Sequence, residues 1–185
     1  MKERKSEARA VFLVGFMGAG KTSVGHALSA RLDWPFQDLD DLIQFREGRS
    51  IQEIFSQSGE AEFRRLEHAA LRQLVAELKV APRIIGLGGG AFVQPANFDL
   101  IQESGVPTVF LDASVEELWQ RCSDQSVGRP LQRDHAEFRA LYESRRPQYL
   151  KAAVHIDTAG RTVDDVAIEL TLRLGWQGRL DPKEW

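Results

Sequence analysis

Residues 15–22 read Gly15-Phe16-Met17-Gly18-Ala19-Gly20-Lys21-Thr22, directly after the apolar run Val11-Phe12-Leu13-Val14 and directly before a stretch with helical spacing. In that setting a G-x-x-x-x-G-K-[ST] segment is a phosphate-binding loop. Its glycines let successive backbone N–H groups turn inward around a polyphosphate. The Lys21 ammonium supplies a point charge for the β and γ oxygens, and the Thr22 hydroxyl, at the N-terminus of the following helix, is placed to ligate magnesium. The alternative is a Gly-rich turn carrying a chance lysine, against which the strand before and the helix after both argue.

Strand and helix signals alternate along the rest of the chain, as parallel strands joined by crossover helices require. The spacing predicts a helix from Lys21 to Leu32, with Val24, Leu28 and Leu32 on its packing face, then a short strand over 35–39. Ser50 and Glu53 form a capping box for a short helix through Phe55, and Gly59 separates it from a long helix through Arg64, Leu71 and Leu78. Further strands are expected over 83–87, 107–111 and 154–157, and further helices over 97–104, from the Ser114/Glu117 capping box to about Cys122, over 135–152 with an interruption at Pro147, and from Thr162 onward. Residues 123–134 read as a mobile loop, and the tail after Gly175 has weak periodicity.

Length and charge bound the rest. A chain of 185 residues, 43% hydrophobic, buries one substantial core, so a single α/β domain spanning 1–185 is expected. A net charge of −3 argues against a nucleic-acid platform. Cys122 is the one cysteine, which excludes an internal disulfide, and His26, His68, His135 and His155 lack metal-ligand spacing, so no zinc site is expected. The charged start and the absence of a long apolar run predict a cytoplasmic protein with no membrane partner.

Ligands of open parallel sheets collect beyond the carboxyl ends of the strands, which directs attention to the residues that follow each strand. Asp38 and Asp40 stand two apart at the end of the second expected strand, so a continuing pleat would put both on one side, near the magnesium. Paired carboxylates there suit metal and proton work, although Asp38, Asp40 and Asp41 also suit the cap of a following helix. Gly88-Gly89-Gly90 lets a ligand approach bare backbone. Arg64 and Arg65, among Glu60, Glu62 and Glu67, fit a solvated ion-paired face as well as a functional one, and Arg129, Arg145 and Arg146 add cations that phosphates or a carboxylate would need.

Taken together, the phosphate loop, Asp38-Leu39-Asp40, Gly59-Glu60-Ala61-Glu62-Phe63-Arg64, the triple glycine, Gly128-Arg129-Pro130-Leu131 and Arg145-Arg146-Pro147-Gln148-Tyr149 resemble the shikimate kinases in order and spacing, from Val11 to about Leu174. The resemblance implies a three-layer P-loop fold with a central parallel sheet, like that of nucleoside monophosphate kinases. It carries a core of about 11–174, a lid of about 123–134 and substrate-binding helices of about 40–78. It implies phosphorylation of the 3-hydroxyl of shikimate by ATP with Mg2+, in a monomer. By the same resemblance Gly18, Ala19, Gly20, Lys21, Thr22, Ser23, Arg121, Arg129 and Arg161 would hold ATP, with Arg121 and Arg161 flanking adenine, while Thr22 and Asp38 would hold magnesium, the latter through water. Asp40 would orient the hydroxyl and take its proton, with Lys21 and Arg129 on the transferring group. Arg64 and Arg145 would clamp the shikimate carboxylate beside Gly88, Gly89 and Gly90. Two departures stand out: Gln132 follows Gly128-Arg129-Pro130-Leu131 where the family often has leucine, and Arg146 beside Arg145 leaves two candidates for one clamp position. The rival readings are another small-molecule kinase of this shape, acting on gluconate or a nucleotide, and a nucleotide-binding regulator.

Overall fold

The computed structural model describes residues 9–78, 80–124 and 134–176. Five strands form one parallel sheet in the order β2-β3-β1-β4-β5, where β1 is Ala10–Val14, β2 Phe36–Asp38, β3 Arg83–Gly86, β4 Thr108–Asp112 and β5 Val154–Asp157. All four pairings are parallel, with Leu13 opposite Gly86 on one side and Val109 on the other. Every residue of β1 is buried, the signature of a central strand covered on both faces by crossover helices. The expected strands are all present, displaced by a residue at several ends.

Helices α1 (Lys21–Leu32), α2 (Leu39–Glu47), α3 (Ile51–Glu77), α4 (Pro95–Ser104), α5 (Val115–Asp124), α6 (His135–Tyr149) and α7 (Val163–Arg173) complete the described layers, with a short 3-10 turn over Ala91–Val93. The Ser50/Glu53 capping box forms in full, and Gly59, with φ 81° and ψ 173°, breaks α3 where the sequence placed the break. Pro147 does not interrupt α6, which carries it in its last turn. The Ser114/Glu117 box forms only by half: the Glu117 N–H bonds Ser114 Oγ, but the Glu117 carboxylate accepts from Arg121 and from the Gly160 N–H. The tail beyond Trp176 lies outside the described residues, and Trp176 itself is buried with its ring 4.7 Å from that of Trp34.

The second strand corrects the pleat argument. β2 stops at Asp38 and α2 begins at Leu39, so Asp38 and Asp40 belong to different elements and are not alternate residues of one strand. Asp38 caps α2, its carboxylate accepting from the Asp40 N–H at 2.9 Å, which places Asp40 in the first helical turn. The capping role and the juxtaposition of the two acids are therefore both present. Helix α2 carries Leu39, Leu42 and Ile43 at helical spacing, and Leu39 and Ile43 are buried.

Helix α1 reaches the sheet through a missing side chain. A Cβ on Gly25 would stand 2.2 Å from Phe36 Cε2, and one on Gly86 would stand 3.1 Å from Phe36 Cζ, so the ring lies wedged between two bare backbones. Gly25→Ala is expected to lower stability by about 1–3 kcal/mol through overpacking, outweighing a helix-propensity gain of about 1 kcal/mol. Denaturant midpoints check this, and a smaller residue at Phe36 in the same chain should recover part of the loss.

Candidate functional site

The phosphate loop joins the carboxyl end of β1 to α1. Gly20 occupies the α1 N-cap in the left-handed region, φ 86°, with no side chain closing the cap, so the first-turn N–H groups face an anion position rather than a capping oxygen. Ala19 is buried and Ser23 is exposed in the first turn. Lys21 Nζ donates to the carbonyls of Gly15 and Phe16, each at 2.9 Å, which arches its chain back over the loop. Thr22 Oγ1 donates to Asp38 Oδ2 at 3.3 Å, bringing a hydroxyl and a carboxylate oxygen together at the loop's rim. Two hard oxygen donors suit Mg2+, which keeps several waters and leans on substrate phosphates. Among the described residues no group of three or more His, Cys, Asp or Glu is arranged to hold a metal ion, as zinc would require.

Asp40 stands in the first turn of α2, half-buried. Burial first, then the neighbouring Asp38 charge, push its carboxyl from 3.8 up to about 6, against the opposing pull of Lys21 and, more weakly, Arg64. The backbone facing it is Gly88, where a Cβ would stand 2.5 Å from Asp40 Oδ1. The next two glycines meet the two arginines. A Cβ on Gly90 would be 2.7 Å from Arg64 Nη1, and one on Gly89 would be 3.5 Å from Arg145 Nη1. Asp40, Arg64 and Arg145, far apart in the chain, thus converge on one glycine loop beside Lys21.

The two α3 arginines differ in their surroundings. Arg64 is ion-paired along its helix, to Glu60 at 3.2 Å and to the buried Glu67 at 3.0 Å, and it also faces Gly90; Arg65 is exposed and pairs with Glu62. The tie on α6 is broken by partners: Arg146 donates to Asp112 Oδ2 at 2.7 Å and to the Tyr142 hydroxyl at 3.0 Å, whereas Arg145 lies over the Phe16 ring of the phosphate loop, 5.9 Å from its centroid, and toward Gly89. Arg121 donates to the Thr158 carbonyl at 2.9 Å, to Thr158 Oγ1 at 3.1 Å and to the Gly18 carbonyl at 3.4 Å, linking the phosphate loop to the turn after β5. Arg161 starts from that same turn, but its guanidinium is directed to Glu169 and to the Asp157 and Asp165 carbonyls. Arg129 and most of the expected lid lie outside the described residues.

Sequence reasoning gave no role to several residues that build this cleft. The Tyr149 hydroxyl donates to the Gly89 carbonyl, and burial pushes its phenol up to about 12, so it stays a donor at any working pH. Glu67 and Asn97 hold Arg64 and the glycine loop from behind. Tyr149 had a signal, its place in the arginine-proline segment; Asn97 had none, because its partners lie some 30 residues away and six residues away.

The chain is similar to known proteins along nearly all of its length. A family model described as shikimate kinase matches residues 17–174. A shikimate kinase of Geobacter metallireducens is 41% identical over 169 residues, covering 90% of this chain and 92% of that protein. Among solved structures, the shikimate kinase of Aquifex aeolicus superposes with a TM-score of 0.78 at 36% identity, covering 90% of this chain and 96% of that one. That of Acinetobacter baumannii, solved in complex with shikimate, does so with a TM-score of 0.78 at 32% identity, covering 90% and 93%.

The raised Asp40 carboxyl has a stability consequence. Between 3.8 and about 6 the folded chain holds a proton that the unfolded chain has released, so this group's contribution is full at low pH and is lost as pH rises through about 6. In protein free of metal and nucleotide, Asp40→Asn should raise unfolding free energy near neutral pH by about 1–3 kcal/mol, and the gain should vanish toward pH ~4. Urea titrations of both proteins across that range check the sign and the window.

Proposed function

The chain belongs to the shikimate kinase family, and we propose that its residues carry the transfer of the ATP γ-phosphoryl group to the 3-hydroxyl of shikimate as follows. The observation that carries this reading is the meeting of Asp40, Arg64 and Arg145 on Gly88–Gly90 beside the phosphate loop. As an ATP-dependent kinase of this family it supplies shikimate 3-phosphate for chorismate and aromatic amino acid synthesis.

Shikimate is a ring bearing a carboxylate and hydroxyls. Arg64 and Arg145 clamp the carboxylate, where planar guanidinium groups give bidentate recognition, and the missing side chains of Gly88, Gly89 and Gly90 let the ring lie against backbone. That leaves the reacting hydroxyl at Asp40, whose carboxyl, near 6, is mostly ionised at neutral pH yet basic enough to accept a proton as the new bond forms. Lys21, released from its loop carbonyls, and Arg129 take the charge of the transferring group, while Gly18, Ala19, Gly20, Thr22 and Ser23 hold the phosphates and Arg121 and Arg161 the adenine end. Thr22 and Asp38, the latter through water, would hold Mg2+, which neutralises β- and γ-phosphate charge. The whole chain 1–185 acts as one domain and one monomer, with 123–134 as lid, and works in the cytoplasm; no described helix is long and apolar enough to cross a membrane.

In a coupled ADP-release assay shikimate is the accepted substrate, and turnover of gluconate or a nucleoside monophosphate in its place would refute the reading. Asp40→Asn is expected to cut kcat by about two orders of magnitude or more while ATP affinity stays within a few-fold. The neighbouring arginines separate by role. Arg145→Ala should raise the shikimate KM by about tenfold or more through loss of a charge-assisted contact. Arg146→Ala should chiefly lower the melting temperature; a larger KM effect at Arg146 would exchange the two assignments.

A further inference from the structure

Behind Arg64 lies a polar chain that the reaction as described does not use. Glu67, 1% exposed, accepts from Arg64 Nη1 at 3.1 and 3.0 Å, one contact on each carboxylate oxygen. The same carboxylate accepts from Asn97 Nδ2 at 3.3 Å, and that nitrogen also donates to the carbonyl of Ala91, the residue after Gly90, at 3.1 Å. Asn97 is itself 1% exposed. The Ala91 carbonyl can only accept, so the amide nitrogen must face it and the amide oxygen must face His68, whose Nδ1 stands 2.8 Å away. His68 must then donate from Nδ1. One buried amide therefore ties the glycine loop, through Ala91, to the carboxylate that holds Arg64, and every hydrogen of its NH2 group is spent on that task.

We propose that Asn97 is a positioning residue for substrate: it fixes Arg64 and the Gly88–Gly90 backbone at one separation, so that carboxylate clamp and ring platform form a single rigid seat. This rests on the reading of Arg64 as a carboxylate clamp. Loss of the amide leaves Glu67 with Arg64 alone and frees the loop from α3, and the effect falls on shikimate binding rather than on nucleotide binding, because neither Glu67 nor Ala91 bonds a residue of the phosphate loop among the contacts above.

The test is a double-mutant cycle on steady-state kinetics, with ATP KM and melting temperature as controls. Asn97→Ala should raise the shikimate KM by about tenfold or more with ATP KM within about twofold, and in an Arg64→Ala background the same change should add less than about twofold. Full additivity, or an equal rise in both KM values, overturns the proposal while leaving the clamp intact. An unchanged shikimate KM in Arg64→Ala alone overturns the clamp itself, and the proposal with it. A measurement on the unaltered protein guards against variants that fail to fold: nitrogen chemical shifts of neutral His68 should show the Nδ1–H tautomer, and an Nε2–H tautomer would mean that the amide faces the other way and that Asn97 does not hold Glu67.

Discussion

Three consecutive residues without side chains are the constraint on which this cleft depends. Gly88, Gly89 and Gly90 follow β3 at the carboxyl edge of the sheet, and a single Cβ on the first would strike Asp40, on the third Arg64. Bare backbone there does two things: it lets helices α2, α3 and α6 bring an acid and two arginines to one place, and it leaves a surface of N–H and carbonyl groups on which a polar ring can rest. The Tyr149 hydroxyl on the Gly89 carbonyl and the Asn97 amide on the Ala91 carbonyl hold that backbone still.

Charge is arranged around the loop with opposing tendencies. The cleft gathers Lys21, Arg64 and Arg145, cations that would repel each other without the acids interleaved among them, and the acids in turn are costly to bury. Glu67 shows the balance: burial pushes its carboxyl up, and the Arg64 guanidinium, with the Asn97 amide, pulls it back. At Asp40 burial and the Asp38 charge win, and its carboxyl stands near 6, above the ordinary aspartate range. Phosphoryl transfer asks a protein for positioning and charge neutralisation more than for covalent chemistry, and a cleft of this charge composition suits that demand.

Helices α3 and α6 matter as rigid carriers. Glu60 and Glu67 flank Arg64 on its own helix, and Arg146, one residue from Arg145, is anchored to Asp112 at the end of β4 and to Tyr142. Anchoring Arg146 orients the turn of α6 that presents Arg145 over Phe16, so two adjacent arginines divide the work between packing and the cleft.

Local and short-range signals were legible in the sequence. The phosphate loop, the Ser50/Glu53 cap, the break at Gly59 and the apolar strands all arise from interactions within a few residues, and the alternation of strand and helix restricts the topology to a parallel sheet with crossovers. Helix α2 lies at the start of the 40–78 stretch that the resemblance implied to be helical, and its cap, Asp38, is one of the three acids that suited a helix start. Whether Asp38 was cap or metal-side acid, whether Arg64 was surface or cleft, and which of Arg145 and Arg146 faced inward were not questions of spacing, since each residue type fitted both roles. Folding puts Asp38 both at the α2 cap and beside Thr22, brings Arg64 close to Gly90 and Arg145 toward Gly89, and pairs Arg146 with Asp112. Partners separated by tens of residues in the chain meet only because the sheet and its crossovers fix where every strand ends.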